Sequence, residues 1–210
     1  MTTGFLMRLM RDRLPPGGRL SLPPTNRVLY VVDGQLSIEG ATLTANQGRH
    51  RAGACFAASA DGATALRYEL TRAGTSPAGG GTLLLEHAID LDPGAAYLMR
   101  CDRVDFDLGG EALPHRHKGG GIRCLIAGAM ELRIEGQPDR TLKPGEAWFE
   151  SGREPVSARA SLHQATTFIR CAILPREIRG QSSIVYVDPA HAGSRPRRYT
   201  VFADDPIELP

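Results

Sequence analysis

The sequence predicts an all-β protein built from two tandem barrels. Short runs rich in Val, Ile, Leu, Tyr and Phe recur along the chain, bounded by Gly, Pro, Asp or Asn, and we find no helical periodicity. Short strands at this spacing are typical of sandwiches and barrels rather than of alternating strand–helix units. Because the order of strands and turns occurs twice, we expect two similar barrels in one chain.

The repeat is visible when residues 27–40 are aligned with residues 121–134, which places Gly34 on Gly128. Each copy has an apolar strand, a glycine turn and an alternating strand, followed by a polar turn and one more short strand. The glycine-rich segment Ala73–Gly81 is predicted to be a flexible link or a long turn. We therefore expect an N-terminal barrel over residues 1–80 and a C-terminal barrel with a tail over residues 81–210.

Composition favours a globular protein with many turns. The 210 residues are enough for two small domains, and 41% hydrophobic residues with 24 Gly and 15 Pro fit a globular chain with many turns. A formal net charge of +2, without a long basic run, predicts no nucleic-acid partner.

No apolar segment approaches the roughly 18–20 residues that a membrane span needs, so no membrane partner is expected. The first ten residues lack the order of regions found in a secretory signal, and we expect a cytoplasmic location. The four cysteines form no C-x-x-C pair and are expected to be reduced, three of them in apolar strands: Cys55, Cys101, Cys124 and Cys171.

An H-x-H pair, His115 and His117, carries the strongest chemical signal. Side chains at i and i+2 of a strand point to the same face, so the two imidazoles are expected to lie side by side. This spacing suits a metal site, although two surface histidines fall at it by chance as well.

The surrounding residues resemble the cupin superfamily. Gly109, the two histidines and Gly128 fall at the spacings of the first cupin motif, and residues 144–149 (Pro-Gly-Glu-Ala-Trp-Phe) resemble the start of the second. The resemblance covers most of residues 95–175 and extends to residues 20–70 only by pattern. It implies a bicupin, that is, two double-stranded β-helix barrels of the jelly-roll type, and a homodimer.

Two motif positions depart from this family. The glutamate of the first motif corresponds to Gly121, and the histidine of the second falls near Pro155 or Val156. Metal-binding cupins usually supply three histidines and a glutamate. His115 and His117 are therefore our candidate ligands for a divalent transition metal (Fe, Mn, Ni or Zn) only if another donor joins them.

The possible third donors are Glu150, Glu154 and His163. A different possibility is that the two histidines line a pocket for an organic ligand. Arg123 lies on the same strand face as position 121 and would then project inward, where a buried guanidinium needs a carboxylate such as Glu150 or an anionic ligand. Trp148 is either a core aromatic or a pocket wall.

These alternatives give the candidate ligand-binding set Arg123, Trp148, Glu150 and His163. In the N-terminal repeat the two histidines and Gly121 correspond to Ser21, Pro23 and Arg27, so that barrel is expected to serve in packing rather than metal binding.

Two functional hypotheses follow. The first is a metal-dependent enzyme of the dioxygenase, isomerase or lyase type, acting on a small organic acid or aromatic compound. The alternative is a non-catalytic small-ligand binder or sensor with a degenerate metal site. Whether the chain is an enzyme stays open. No catalytic residue can be assigned, because nucleophile elbows, Walker loops and dinucleotide-binding glycine motifs are all missing.

Overall fold

The computed structural model describes residues 4–194 and 197–210, and that part of the chain contains β-strands and two short 3₁₀ turns but no α-helix. The prediction of an all-β protein is confirmed. The strands are β1 (Phe5–Leu14), β2 (Arg19–Leu22), β3 (Asn26–Ile38), β4 (Ala41–Thr44), β5 (Gln47–Arg51), β6 (Cys55–Ala58), β7 (Ala63–Arg72), β8 (Thr82–Ile89), β9 (Tyr97–Phe106), β10 (Glu111–His117), β11 (Gly121–Ala127), β12 (Met130–Ile134), β13 (Arg140–Leu142), β14 (Ala147–Glu150), β15 (Val156–Ala160), β16 (Thr166–Pro175), β17 (Ile184–Tyr186) and β18 (Arg197–Ile207). The 3₁₀ turns are Arg176–Ile178 and Pro189–His191.

The chain forms two compact units. Unit 1 holds the described residues up to Met99 together with Asp205–Pro210, and unit 2 holds Arg100–Asp204. The sequence placed the boundary at residues 80/81 instead. The difference arises because β8 pairs with β1 along an antiparallel ladder that includes Phe5 opposite Ile89, so residues 82–89 belong to the sheet of unit 1.

Unit 1 is one sheet in the order β2-β6-β3-β7-β1-β8, with β4 and β5 also paired to β3. Charged side chains are buried beside its apolar core. Arg67 donates to Asp12 (Nε to Oδ2, 2.7 Å) and to Glu69 (Nη1 to Oε1, 2.9 Å). Arg27, which the repeat aligns with position 121, is fully buried and reaches the same Glu69. Paired guanidinium groups thus occupy a buried part of this unit.

Unit 2 consists of two five-stranded sheets, ordered β13-β12-β15-β10-β17 and β14-β11-β16-β9-β18. The alternation of Met130, Leu132 and Ile134 in β12 turns these three side chains inward. They pack in one cluster with Trp148 and Val156, so apolar residues from both sheets share one core.

All four cysteines are buried and free. None of the helical segments among residues 4–194 and 197–210 is long and apolar enough to cross a membrane.

Candidate functional site

The two histidines of the H-x-H pair lie at the end of β10 and are nearly buried. Their ring centroids are 4.8 Å apart and the ring planes are almost perpendicular, at 88°. The two imidazoles therefore lie next to each other, as the i, i+2 spacing predicts. The role of the pair depends on what each ring nitrogen contacts.

His115 is oriented by the backbone. Its Nδ1 lies 2.7 Å from the carbonyl oxygen of Leu113, and since a carbonyl only accepts hydrogen bonds, Nδ1 carries the proton. The acceptor nitrogen is then Nε2. A histidine held in this way resembles the ligands of metal sites, where the second nitrogen donates to a carbonyl or carboxylate.

His117 contacts a carboxylate and a hydroxyl. Its Nε2 lies 3.3 Å from Oε2 of Glu150, and its Nδ1 lies 3.4 Å from Oγ of Ser183. Burial, aided by the charge of Arg123, lowers the pKa of His117 to about 3 despite the opposing effect of Glu150. The imidazole is therefore neutral near pH 7.

Glu150 pairs with Arg123 in the same buried region. Nη2 of Arg123 lies 2.8 Å from Oε2 of Glu150, and Nη1 donates to the carbonyl oxygen of Gly121 at 2.6 Å. Trp148 donates from Nε1 to Oε1 of the same carboxylate at 2.8 Å. Burial raises the pKa of Glu150, but Arg123, His117 and Trp148 outweigh that effect and hold the pKa below its ordinary value.

The carboxylate of Glu150 belongs to β14, whereas the motif would place a glutamate on the neighbouring strand β11. Gly121 of β11 lies directly opposite Glu150 of β14 in an antiparallel pair. Directly opposed residues present their side chains to the same face, so Glu150 points where the motif glutamate would have pointed. A Cβ at Gly121 would lie 2.7 Å from Cα of Ala172 and would also collide with the carbonyl oxygen of Cys171.

The remaining predicted donors lie elsewhere. His163 is exposed in the turn between β15 and β16 and does not line the cavity around His115, so its assignment as a ligand-binding residue is not supported by its position. Glu154 is exposed as well, and its carboxylate accepts a hydrogen bond from Ser151. Trp148 packs edge-on against Phe168 with ring centroids 5.3 Å apart, and it also lines the small cavity around His115, so it is both a core aromatic and a cavity wall.

As arranged here, the residues do not fit a divalent metal ion. Within residues 4–194 and 197–210 no group of three or more His, Cys, Asp or Glu side chains could hold one. The one carboxylate beside the histidines, Glu150, already has the positive guanidinium of Arg123 against it. A second cation on the same carboxylate would be repelled in a region of low dielectric.

Two of the cavities in unit 2 concern the candidate site. The inner cavity, lined by His115, His117, Arg123 and Glu150 among others, has a volume of about 30 Å³ and can hold about two water molecules. The cleft beside it has a volume of about 640 Å³, within the range of small-molecule sites. Arg170 and Tyr199 line both cavities, so the cleft adjoins the inner cavity at these two side chains.

The cleft combines apolar walls with a few polar groups. Its lining residues are Arg100, Asp102, Lys118, Arg170, Gln181, Ser182, Ser183, Ile184, Val185, Tyr186, Pro189, Ala192, Ser194, Tyr199 and Val201. Several apolar members are exposed, with Val201 at 55% and Val185 at 48%. Such a contiguous exposed apolar surface beside charged groups is typical of a binding site.

Two of the cleft arginines are held by carboxylates. Asp102 accepts from Nε and Nη2 of Arg170 at 3.0 and 2.6 Å, which leaves Nη1 as the nitrogen that this carboxylate does not bind. The guanidinium of Arg170 also lies 5.7 Å from the ring centroid of Tyr199. Arg100 is bound by Asp204 at 2.8 Å.

Lys118 adds a positive charge that is not balanced by an ion pair with any described residue, and it is exposed. None of the sequence motifs predicts this cleft. One signal was present, because Arg100, Asp102 and Arg170 stand within otherwise apolar strands, where charged residues must find partners.

Comparison with known proteins was informative at the level of the fold. No protein-family model matches the chain. No curated protein matches it either. Solved structures do resemble it, and the oxalate decarboxylase of Lactobacillus farciminis, a formate complex, has a TM-score of 0.64 at 10% identity, covering 92% of this chain and 82% of that one.

Two further structures are similar. The salicylate 1,2-dioxygenase of Pseudaminobacter salicylatoxidans has a TM-score of 0.55 at 12% identity, with coverage of 93% of this chain and 74% of that one. The cupin 2 conserved barrel domain protein of Leptotrichia buccalis has a TM-score of 0.51 at 13% identity, with coverage of 82% and 85%. The predicted cupin fold is confirmed by these likenesses, which at such identities concern the fold alone.

Proposed function

We propose that unit 2 of this cupin-fold chain binds a small organic anion in the cleft, and that it does so without a metal ion. The observation that carries the proposal is the contrast between the two cavities. The inner cavity of about 30 Å³ has no room for an organic molecule, whereas the cleft of about 640 Å³ does. The inner cavity beside the H-x-H pair is thus too small to be the ligand site, and the cleft next to it is the candidate.

The chemistry of the cleft favours a carboxylate on an apolar or aromatic body. The ammonium of Lys118 and Nη1 of Arg170 supply positive charge, and the hydroxyls of Ser182 and Ser183 supply further polar groups. Tyr199 and its apolar neighbours would pack against the body of the ligand. The related oxalate decarboxylase structure is a complex with formate, and one of the dioxygenase structures is a complex with gentisate; both ligands are small carboxylates.

The cleft also contacts the buried histidine. Ser183 lines the cleft and places its Oγ 3.4 Å from Nδ1 of His117. A ligand that takes a hydrogen bond from Ser183 would therefore compete with this contact. This arrangement supports a non-catalytic ligand binder or sensor rather than a metal-dependent enzyme.

The test uses salicylate and oxalate as probes, titrated calorimetrically into protein dialysed against a chelator. We expect saturable binding of at least one probe, weakened about tenfold or more by Lys118→Glu and by Tyr199→Ala, since a charged pair or a buried aromatic contact contributes about 1.4 kcal/mol or more. Lys143→Glu, an exposed lysine outside the cleft, is the matched control. Failure of both probes to bind, or equal binding by the Lys118 and Lys143 variants, contradicts the proposal.

A metal-dependent enzyme is the second candidate, and the orientation of His115 by Leu113 favours it. It would require Arg123 to leave Glu150, so that Fe, Mn, Ni or Zn could take its place. Elemental analysis of the purified protein and of a His115→Ala/His117→Ala variant separates the two candidates. Stoichiometric metal in the parent and none in the variant would favour the enzyme. The homodimer and the cytoplasmic location remain predictions.

A further inference from the structure

A cavity of about 180 Å³ lies within unit 1 and shares no lining residue with the cleft or the inner cavity of unit 2. It is smaller than the roughly 300–1,000 Å³ of sites for drug-sized molecules, so it suits a small ligand. Its lining combines two guanidinium groups with four hydroxyl groups, from Arg8, Arg72, Thr25, Thr71, Thr75 and Ser76. A cavity lined in this way favours a ligand that accepts several hydrogen bonds.

The hydroxyl of Thr71 is buried at the end of β7 without a hydrogen-bond partner. Thr71 is 4% exposed, and its Oγ1 has no partner among residues 4–194 and 197–210. Buried hydroxyls are nearly always hydrogen-bonded, because burial removes their bonds to water. Since Thr71 lines the cavity, a ligand bound there can supply the missing partner.

Arg8 presents a second unused polar group to the same cavity. Its guanidinium is 2% exposed, and Nε donates to Oε2 of Glu86 at 2.6 Å while Nη2 donates to the carbonyl oxygen of Thr75 at 2.6 Å. These bonds fix the plane of the guanidinium and leave Nη1 without a partner among the described residues. Glu86 balances the charge of Arg8, but the N–H groups of Nη1 remain available to a ligand.

The glycine-rich segment Ala73–Gly81 forms one wall of this cavity. Its carbonyl oxygens accept from two buried arginines, at Thr75 from Arg8 and at Ala78 from Nη2 of Arg67, the latter at 2.9 Å. The segment is therefore attached to the sheet at two points. This attachment brings the exposed residues Thr75 and Ser76 to the rim of the cavity.

The charge around the cavity favours an anion. Arg72 is exposed and forms no ion pair with any described residue. Glu69 also lines the cavity, but its Oε1 is bound by Nη1 of Arg67 at 2.9 Å and by Nε of Arg27 at 3.3 Å. Because two guanidinium groups neutralise this carboxylate, the positive charge of Arg72 is the one left unbalanced at the cavity.

We infer that this cavity of unit 1 binds a phosphoryl group, as inorganic phosphate or a small phosphate monoester, through Nη1 of Arg8, the guanidinium of Arg72 and the hydroxyl of Thr71. A phosphoryl group directs its acceptor oxygens along several directions, which suits donors that come from separate strands. A carboxylate has only two oxygens in one plane and would leave more of these donors unused. The site lies in the other unit from the proposed organic-anion cleft and has a different lining.

The experiment titrates inorganic phosphate and glycerol 3-phosphate calorimetrically into the full chain in a phosphate-free buffer. We expect one equivalent of at least one probe to bind saturably, and the tighter probe identifies the source of the phosphoryl group. Thr71→Val keeps the shape of the side chain without its hydroxyl and is expected to weaken binding about tenfold, the effect of losing a hydrogen bond to a charged group. Arg72→Gln is expected to weaken it about threefold or more, because this charge is exposed.

Matched controls come from the same strands. Thr64→Val on β7 and Arg13→Gln on β1 lie outside the cavity and are expected to bind like the parent. Failure of both probes to bind would overturn the inference. Equal binding by Thr71→Val and Thr64→Val, or by Arg72→Gln and Arg13→Gln, would overturn it as well. Salicylate is titrated into the Thr71 and Arg72 variants in parallel and should bind as to the parent, so the cleft and this cavity can fail independently.

Discussion

Glu150 lies directly opposite Gly121 in the antiparallel pair of β11 and β14, so the carboxylate reaches the inner cavity of unit 2 from the neighbouring strand. Arg123, two residues along β11 from the glycine, contacts this carboxylate at 2.8 Å. Where the cupin motif has a glutamate, this chain has a glycine, and the ion pair of Arg123 and Glu150 lies buried beside it. This relationship explains why the described residues around His115 and His117 form no set of metal ligands.

Removing the charge of Glu150 should destabilise unit 2 strongly. Glu150→Gln keeps the size of the side chain but leaves the buried guanidinium of Arg123 without its counter-charge, and we expect a loss of about 3–5 kcal/mol in the free energy of unfolding. Denaturant titration measures it. Glu154→Gln, at an exposed carboxylate of the same region, should change the value by less than about 0.5 kcal/mol. A loss below about 1 kcal/mol for Glu150→Gln would show that the pair contributes little.

Placing the motif glutamate at position 121 should destabilise unit 2. Gly121→Glu places a Cβ 2.7 Å from Cα of Ala172, so strands β11 and β16 must separate, at a cost of about 1–3 kcal/mol or more. Gly121→Ala tests the same contact with the smallest side chain. Gly193→Ala is the control, because a Cβ there meets nothing within 4 Å. Thermal midpoints that are equal for the Gly121 and Gly193 variants would contradict the predicted collision.

His117 should make the stability of the fold sensitive to acid. Its folded pKa of about 3 is below the ordinary value of 6.5, so the unfolded chain takes up the proton first as the pH falls. Stability is therefore retained above pH 6.5 and lost between pH 6.5 and 3. We expect His117 to account for a loss of about 2–3 kcal/mol between pH 6 and pH 4.

The pH dependence is checked by denaturant titrations at several pH values with wild type, His117→Gln and His163→Gln. The His117 variant should show a shallower loss of stability on acidification, and the exposed His163 variant should follow the wild type. Identical pH profiles for wild type and His117→Gln would mean that His117 does not hold its neutral form in the folded state.

Anion binding in the cleft should weaken with salt. Lys118 is exposed, so its attraction to a carboxylate is screened when the Debye length falls from about 10 Å at 0.1 M salt to a few ångströms at 1 M. We expect a several-fold weaker affinity for salicylate over this range, and a smaller dependence in Lys118→Ala. Calorimetric titrations at three salt concentrations measure it, and an equal salt dependence in both proteins would exclude a role for Lys118.

Local sequence patterns were sufficient for the all-β fold class and for part of the inner cavity. The i, i+2 spacing predicts that His115 and His117 lie side by side. The same alternation along the next strand predicts that Arg123 points inward. The strand pairing then brings Arg123 and Glu150 into contact. The position of Glu150 directly opposite Gly121 could not be predicted, because it depends on the register between β11 and β14.

The cleft and the domain boundary depend on longer-range pairing. Lys118, Arg170, Ser183 and Tyr199 come from separate segments and meet only through sheet order, which a single sequence does not reveal. The glycine-rich segment at 73–81 suggested a boundary at residue 80. Instead the chain returns from that segment to pair β8 with β1.

Whether the cleft binds an organic anion without a metal ion is decided by one titration. Salicylate is titrated into the purified protein before and after exhaustive dialysis against EDTA, with the metal content measured in both samples. We expect less than stoichiometric metal in either sample and the same affinity for salicylate in both. Loss of salicylate binding on chelation, restored by adding one equivalent of a divalent transition metal, would contradict it.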